Sequence, residues 1–369
     1  MSAKLTADET KLVQKFRDNG RKLWEMYPDQ ELTKNCQQND IVAIRFLRAR
    51  NCEVNKALQM VDLSLRWRKA EGIDQVSNES FRNMPKLKQW YPFAFHKFDK
   101  LGRPIYIEQV GLYDLKALNE NTTMRHMERM HIKQQEYIQK KLLPKASDRA
   151  KQPVFQTCSI VDLKGLNKKQ LTKQSYKFIK FMAKIDQDNY PESMGKLFLV
   201  NVPLIFKVVW KLISPWLHEN TRKKIEVLRG SDYTKVLLQH IDKDSLPKMF
   251  GGNCDCKGGC MNGNDEEVEF REFMAAGTVD GEELGHQWNL KQEEAAKAKA
   301  AGGTPSKATG TGSTKAGSST SPPASPTTKE AEKKEDEDDD KELEAAEKEF
   351  ANASLKDADD TELDGELSV

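Results

Sequence analysis

The chain has few of the features that announce a chemistry. No run of about 18 uncharged apolar residues occurs in its 369 positions, so no segment reads as a membrane-spanning helix. The opening residues, MSAKLTADET, lack the apolar core of a secretory signal. A cytoplasmic protein with only peripheral membrane contact is the expectation. There is no GxSxG elbow, no Walker A loop, no GxGxxG after a strand and no HExxH, so common nucleophile, phosphate-loop and metalloprotease signatures are missing. The 6 histidines, His96, His126, His131, His218, His240 and His286, include no ligand-spaced pair, since His126 and His131 are five apart. Carboxylates in the first 250 residues are scattered, which leaves two-carboxylate catalysis without an anchor. Basic and aromatic residues interleave, but no RRM, KH or OB signature accompanies them. The expectation is a non-enzymatic protein that does not bind nucleic acid.

Cysteine is sparse too. Cys36, Cys52 and Cys158 are isolated and read as reduced thiols. Cys254, Cys256 and Cys260 cluster in CDCKGGC, but no fourth ligand lies nearby in sequence and no CxxC pair is present. The reading is a glycine-rich thiol loop and no metal.

Charge is plentiful and unevenly placed. From position 251 to the end there are 13 Lys and Arg against 29 Asp and Glu, so the formal +2 of the whole chain combines a body of about +18 with a tail of about −16. A basic body suits an anionic partner such as a membrane surface. An acidic tail reads as a solvated appendage able to fold back on that body. Residues 295–328 are rich in Ala, Gly, Ser, Thr and Pro and read as a flexible linker, and 330–369 as acidic low complexity.

One stretch stands out, residues 186–228. GKLFLVN at 195–201 is almost wholly apolar, as in a strand covered on both faces. KIEVL at 224–228 reads as the next strand. Between them Ile205, Val208, Val209, Leu212, Ile213 and Trp216 fall at helical spacing, and Phe206 and Trp210 lie off that stripe. Only Lys207 and Lys211 interrupt it. A helix apolar on more than one face is either buried or turned toward something greasy. A core helix and a lid over an apolar cavity are both open on this pattern.

Elsewhere the periodicity predicts helices over 6–27, 41–50 (capped by Asn39-Asp40), 54–71, 124–143, 168–187, 233–241 and 265–275. It predicts a hairpin of 90–98 with 104–110 and a strand over 153–163. Strands alternating with helices argue for an α/β domain with a mainly parallel or mixed sheet. The first 75 or so residues read as a small helical bundle.

Five motifs recur in order: IRFLRAR at 44–50, HKFDKLGRPIYIE at 96–108, SIVDLKG at 159–165, NYPESMGKLFLVNVP at 189–203 and LPKMFGG at 246–252. On these the chain resembles the CRAL-TRIO lipid-binding proteins, and within them the eukaryotic phosphatidylinositol/phosphatidylcholine transfer proteins. The resemblance covers about 8–252. It implies a helical subdomain over 1–75 and a lipid-binding domain over 85–252, followed by a Cys/Gly-rich and acidic extension over 253–290 and a linker and acidic tail over 291–369. It implies a mixed sheet flooring an apolar pocket for one phospholipid, gated by a mobile helix at 203–216 with Phe206, Val209, Trp210 and Ile213.

The positions that match the family's phosphatidylinositol headgroup site are Arg50, Pro104, Glu192, Thr221 and Lys224. Arg and Lys suit phosphate as a fork and a point charge. Glu192 would accept from inositol hydroxyls or orient Lys224. The positions that match the choline-phosphate site are Phe95, Gln135, Thr157 and Ser159. Both hydroxyls are kept, exchanged in type, and both phenols are absent. Asn51 stands where the family has a lysine. The resemblance implies a monomer without cofactor that carries bound lipid as its ligand. It would touch anionic membranes transiently and exchange phosphatidylinositol for a second lipid, with phosphatidylcholine among the candidates. It would thereby support phosphoinositide signalling and lipid or vesicle traffic. A carrier of a small lipophile such as a tocopherol or retinoid, which has no need of Lys224, and a lipid-sensing interaction module are the alternative readings.

Overall fold

The structure, a computed structural model, describes residues 5–230 and 232–281. His286, the linker at 295–328 and the acidic stretch at 330–369 lie outside the described residues. The chain divides into a main unit, Met1–Phe206 with Ile213–His286, and a second unit to which Lys207–Leu212 belongs.

Five helices open the main unit: α1 (Ala7–Asn19), α2 (Arg21–Met26), α3 (Glu31–Gln38), α4 (Asp40–Arg48) and α5 (Val54–Ala70). Thr6 starts α1 with a capping box, its hydroxyl accepting from Glu9 N while Glu9 accepts from Thr6 N. Asn39 caps α4 as expected. The single helix expected over 6–27 is instead two, broken at Gly20. Trp24 folds back there and its indole N–H donates to Arg17 O at 3.0 Å. A Cβ on Gly20 would sit 2.4 Å from that indole, so the break requires glycine. Val13, Phe16, Trp24, Ile44, Leu47, Val61 and Leu65 form the bundle's own core.

The lobe follows as β1 (Glu79–Ser80), α6 (Met84–Trp90), β2 (Phe93–Phe98), β3 (Pro104–Gln109), α7 (Leu115–Asn121), α8 (Met124–Tyr137), α9 (Leu143–Ala150), β4 (Thr157–Asp162), α10 (Lys173–Asn189), β5 (Met194–Val200), α11 (Phe206–Ile213), α12 (Glu219–Arg222), β6 (Ile225–Val227), α13 (Tyr233–His240), α14 (Asp265–Ala275) and β7 (Val279–Asp280). β2 to β6 form one sheet in sequence order, with β2 antiparallel to β3 and the other pairs parallel. This is the mixed α/β architecture with a helical N-terminal part that the sequence implies. β1 and β7 pair separately, in parallel.

Four expected elements differ at their edges. The helix expected over 168–187 begins at Lys173, after a separate 3-10 turn at Lys168–Gln170, and runs to Asn189. The hairpin's first strand begins at Phe93, because Trp90 closes α6, whose start carries Pro85. The strand expected from 153 begins at Thr157. The helix expected over 124–143 passes into a π-turn at Ile138–Leu142 and then α9. The hairpin turn is held by Asp99, whose Oδ1 accepts from Leu101 N and Arg103 N and whose Oδ2 accepts from Arg103 Nε at 2.6 Å.

The two faces of the main sheet are packed differently. Ile105, Ile107, Cys158, Ile160, Phe198 and Val200 share one face and are fully covered by Leu237, Ile241, Leu246 and Phe250. The other face is organised in register rows. One row runs Phe95, Tyr106, Ser159, Leu197, Ile225, and the next runs Phe93, Glu108, Val161, Leu199, Val227. Phe93 and Phe95 are buried under Phe270 of α14, at 5.8 and 5.1 Å between ring centroids. Toward β6 the cover thins. Val161, Leu197 and Ile225 are only half-buried and Val227 is exposed.

Candidate headgroup site at the edge of a half-covered sheet face

The resemblance-based residues divide into those the fold brings together and those it leaves apart. Lys224 immediately precedes β6, and its backbone O accepts from Leu197 N at 3.0 Å. Glu192 precedes β5 in a left-handed conformation, φ 58°, which a side-chain-bearing residue adopts only at a cost of about 1–3 kcal/mol when its surroundings enforce it. The two side chains form an ion pair, Lys224 Nζ to Glu192 Oε2 at 2.8 Å, with side-chain exposures of 14% and 7%. Thr221, the third residue of α12, accepts through its backbone O from Lys224 N at 3.0 Å. Glu192, Thr221 and Lys224 thus form one cluster. Pro104 and Thr157 begin β3 and β4, at the same end of the parallel strands. Both are buried.

The strained turn at Glu192 is clamped from the N-terminal bundle. Arg45 of α4 donates to Pro191 O at 2.8 Å, to Ser193 Oγ at 2.6 Å and to Gln139 Oε1 at 2.6 Å. Burial pushes the Arg45 guanidinium down to about 10, against the opposing pull of Glu192. Arg48 lies over the Phe155 ring at 5.9 Å. Arg50 follows on the same segment. Its guanidinium donates to Ala49 O at 3.0 Å, and the side chain is half-buried. The fold therefore carries Arg50 in the turn just after the helix that grips the Glu192 turn, but records no bond between Arg50 and Lys224, Glu192 or Thr221.

Of the four second-lipid positions, Phe95 and Ser159 occupy one register row on either side of Tyr106. Thr157 lies two residues back along β4 on the same face. Gln135 sits one turn after His131 on α8, and its Oε1 is buried without a protein hydrogen-bond partner. The residue not singled out from the sequence is Tyr106. The alternation in PIYIEQ, with Ile105 and Ile107 inward, places Tyr106 and Glu108 together on the half-covered face. A phenol therefore stands beside Ser159 although the family's two tyrosine positions hold Phe95 and Gln135. Glu108 accepts from Tyr91 and Tyr113. Burial raises its carboxyl above the usual range, opposed by those phenols and by Tyr106.

The gate residues lie on α11. Phe206 is buried at 4% exposure, Val209, Trp210 and Ile213 are half-buried, and Lys207 and Lys211 are exposed. Asn201, at the exit of β5, takes φ 52°, and its Nδ2 donates to Asp162 Oδ1 at 2.7 Å. Beyond α11 the turn Ser214–Trp216 anchors on α10 through an edge-to-face contact of Trp216 with Tyr176, 4.6 Å between centroids.

The sheet is thus sealed on one face and half-covered on the other, with an ion pair and hydroxyls at its edge. The comparisons with known proteins are specific. The CRAL/TRIO domain family matches residues 88–252. The Sec14 cytosolic factor of Schizosaccharomyces pombe is 38% identical over 223 residues, 60% of this chain and 77% of that protein. The phosphatidylinositol/phosphatidylcholine transfer protein SFH7 of Arabidopsis thaliana is 38% identical over 233 residues, 61% of this chain but 42% of that protein. The crystal structure of Sfh5 aligns with a TM-score of 0.51 at 18% identity, over 79% of this chain and 99% of that one, a likeness of fold alone. The chain belongs to the CRAL-TRIO family, with Sec14-type proteins among its relatives. It spans less than half the length of the Arabidopsis relative. Among the described residues no helix is long and apolar enough to cross a membrane.

Proposed function

We propose that this chain is a non-enzymatic phosphatidylinositol transfer protein. It takes one phospholipid onto the half-covered sheet face and exchanges phosphatidylinositol with a second lipid between membranes. The observation that carries the reading is the Lys224–Glu192 pair, 2.8 Å apart at the rim of that face and next to Thr221. A cation held there by a carboxylate is positioned to take a phosphate oxygen, while the carboxylate is left to accept from inositol hydroxyls. The transfer-protein names of the relatives support the same reading. Arg50 and Pro104 complete the proposed headgroup set. Phe95, Gln135, Thr157 and Ser159, with Tyr106 added, are the proposed second-lipid contacts.

The physical need is large. Two acyl chains of ~16 carbons bury ~30 methylenes at ~0.8 kcal/mol each, on the order of 20–25 kcal/mol against leaving a bilayer unaided. An apolar face removes most of that barrier. The protein acts as a monomer, carries no cofactor besides its lipid, and meets anionic membrane surfaces only transiently. Native mass spectrometry of the purified chain tests the reading. A bound phosphatidylinositol and one competing lipid are expected. A tocopherol, a retinoid or no lipid in their place would overturn it, the first two in favour of a small-lipophile carrier.

A further inference from the structure

Away from the proposed lipid face lies a cluster that lipid binding does not use. His96 stands in β2 just before the bulge at Lys97, whose φ is 49°. Its side chain is fully buried. Cys254, Cys256 and Cys260 arrive from the loop after Gly251, about 160 positions later in the chain. One ligand atom from each of these four residues lies within 4.8 Å of all the others. The Sγ atoms of Cys254 and Cys256 are 3.5 Å apart, and all three thiols are free.

The surroundings are those of a prepared ligand set. His96 Nε2 lies 3.1 Å from Ser245 O, and donation to that carbonyl leaves Nδ1 as the nitrogen with a lone pair. Nδ1 is buried and has no hydrogen-bond partner. A ring N–H on a backbone carbonyl is how metal-ligating histidines are usually oriented. The thiol loop is wound tightly by Gly258 and Gly259, at φ 85° and 87°. Gly259 N donates to Cys256 O at 2.7 Å, which turns Cys260 back toward Cys254. Tetrahedral zinc, with bonds of ~2.3 Å to sulfur and ~2.0 Å to nitrogen, needs ligand atoms ~3.5–3.8 Å apart. The Cys254–Cys256 separation already matches, and the other ligand atoms need only small side-chain adjustments.

We propose that His96 Nδ1 and the Sγ atoms of Cys254, Cys256 and Cys260 coordinate one zinc ion in a closed, structural site. Three thiolates and one imidazole are a structural zinc set, and four protein ligands leave no open position for water or substrate. Binding involves no redox step. Each thiol releases its proton to solvent as its sulfur–metal bond forms. The ion ties the sheet's edge strand β2 to the loop that leads into α14. Asn264 continues that link, donating to Cys260 O at 2.8 Å and capping α14 by accepting from Glu267 N at 3.1 Å.

The test uses the full chain, purified without chelator. Elemental analysis is expected to find close to one zinc per chain. After chelation under a thiol-free reductant, Co2+ alone is expected to restore occupancy, with thiolate-to-metal charge transfer and the intense visible bands of a tetrahedral site. Cys256 and Cys260 are only half-buried, so Cys256→Ser and Cys260→Ser should keep the fold by circular dichroism. Each should lose zinc affinity by more than the ~10–100-fold that removal of an outer-shell partner costs. A reduced chain that takes up neither Zn2+ nor Co2+ would overturn the proposal. So would an isolated chain with two of these thiols joined in a disulfide, or a Cys256→Ser variant with full zinc content.

Discussion

Lys224 and Glu192 are coupled, so a change at either reports on both. A charge-assisted contact to a lipid phosphate is worth roughly 1.5–3 kcal/mol. Lys224→Ala is therefore expected to lower phosphatidylinositol transfer tenfold to a hundredfold and leave transfer of the second lipid nearly unchanged. It also leaves a mostly buried carboxylate unpaired, so the double variant Lys224→Ala with Glu192→Gln separates the two effects. Restored melting temperature with transfer still low assigns Lys224 to the headgroup, whereas recovery of both assigns it to the turn. His131 supplies a second residue-scale expectation. Burial alone would push its imidazole down, but Asp186 at 2.7 Å, aided by Glu108 and Glu128, outweighs burial and raises it. A raised histidine contributes stability that is fully present below its unfolded pKa of about 6.5 and is lost as pH rises through the folded value. The melting temperature should fall by a few degrees between pH 6 and the slightly alkaline range, and His131→Gln should flatten that fall. An unchanged slope in the variant would show that His131–Asp186 does not set it. At this scale legibility followed distance along the chain. Tyr106 and Glu108 can be read from strand alternation. His96 cannot be joined to Cys254 without the fold, because the thiol loop reaches β2 only once the sheet exists.

α11 keeps the character read from its sequence, apolar around most of its circumference and interrupted by two exposed lysines. Phe206 and Trp210 are not equivalent, however. Phe206 is buried, so charging it would damage packing whatever the helix does. Trp210 is the fair probe. If α11 meets the bilayer during exchange, Trp210→Asp should weaken vesicle binding and transfer of both lipids alike, by about tenfold, with cooperative unfolding retained. Loss of cooperative unfolding would make Trp210 plain core. Helix α14 was legible to its ends, because Asn264 caps it and three acidic residues fill its first turn. The break at Gly20 and the π-turn at Ile138–Leu142 were not. The first depends on the Trp24 indole closing over the chain, which no local pattern reveals. The second comes just before Pro144 in α9; that proline lacks the N–H that a regular helix would direct to Lys140 O, and it crowds that carbonyl.

The charge division of about +18 against about −16 is the property of the whole molecule most plainly written in the sequence. It acts through space, whatever conformation the last residues adopt. Residues 330–369 alone hold 18 acidic against 5 basic side chains, about −13. They are therefore expected to compete with an anionic bilayer for the basic body, over distances set by a screening length of ~10 Å at 0.1 M salt. Deleting 330–369 is expected to raise affinity for phosphatidylserine vesicles at low ionic strength, and raising the salt should close the gap between the two forms. A neutral vesicle should bind both forms alike, which separates charge competition from any effect on lipid uptake. Equal affinity of the two forms for phosphatidylserine at every salt concentration would show that the basic body meets membranes without interference from its own tail.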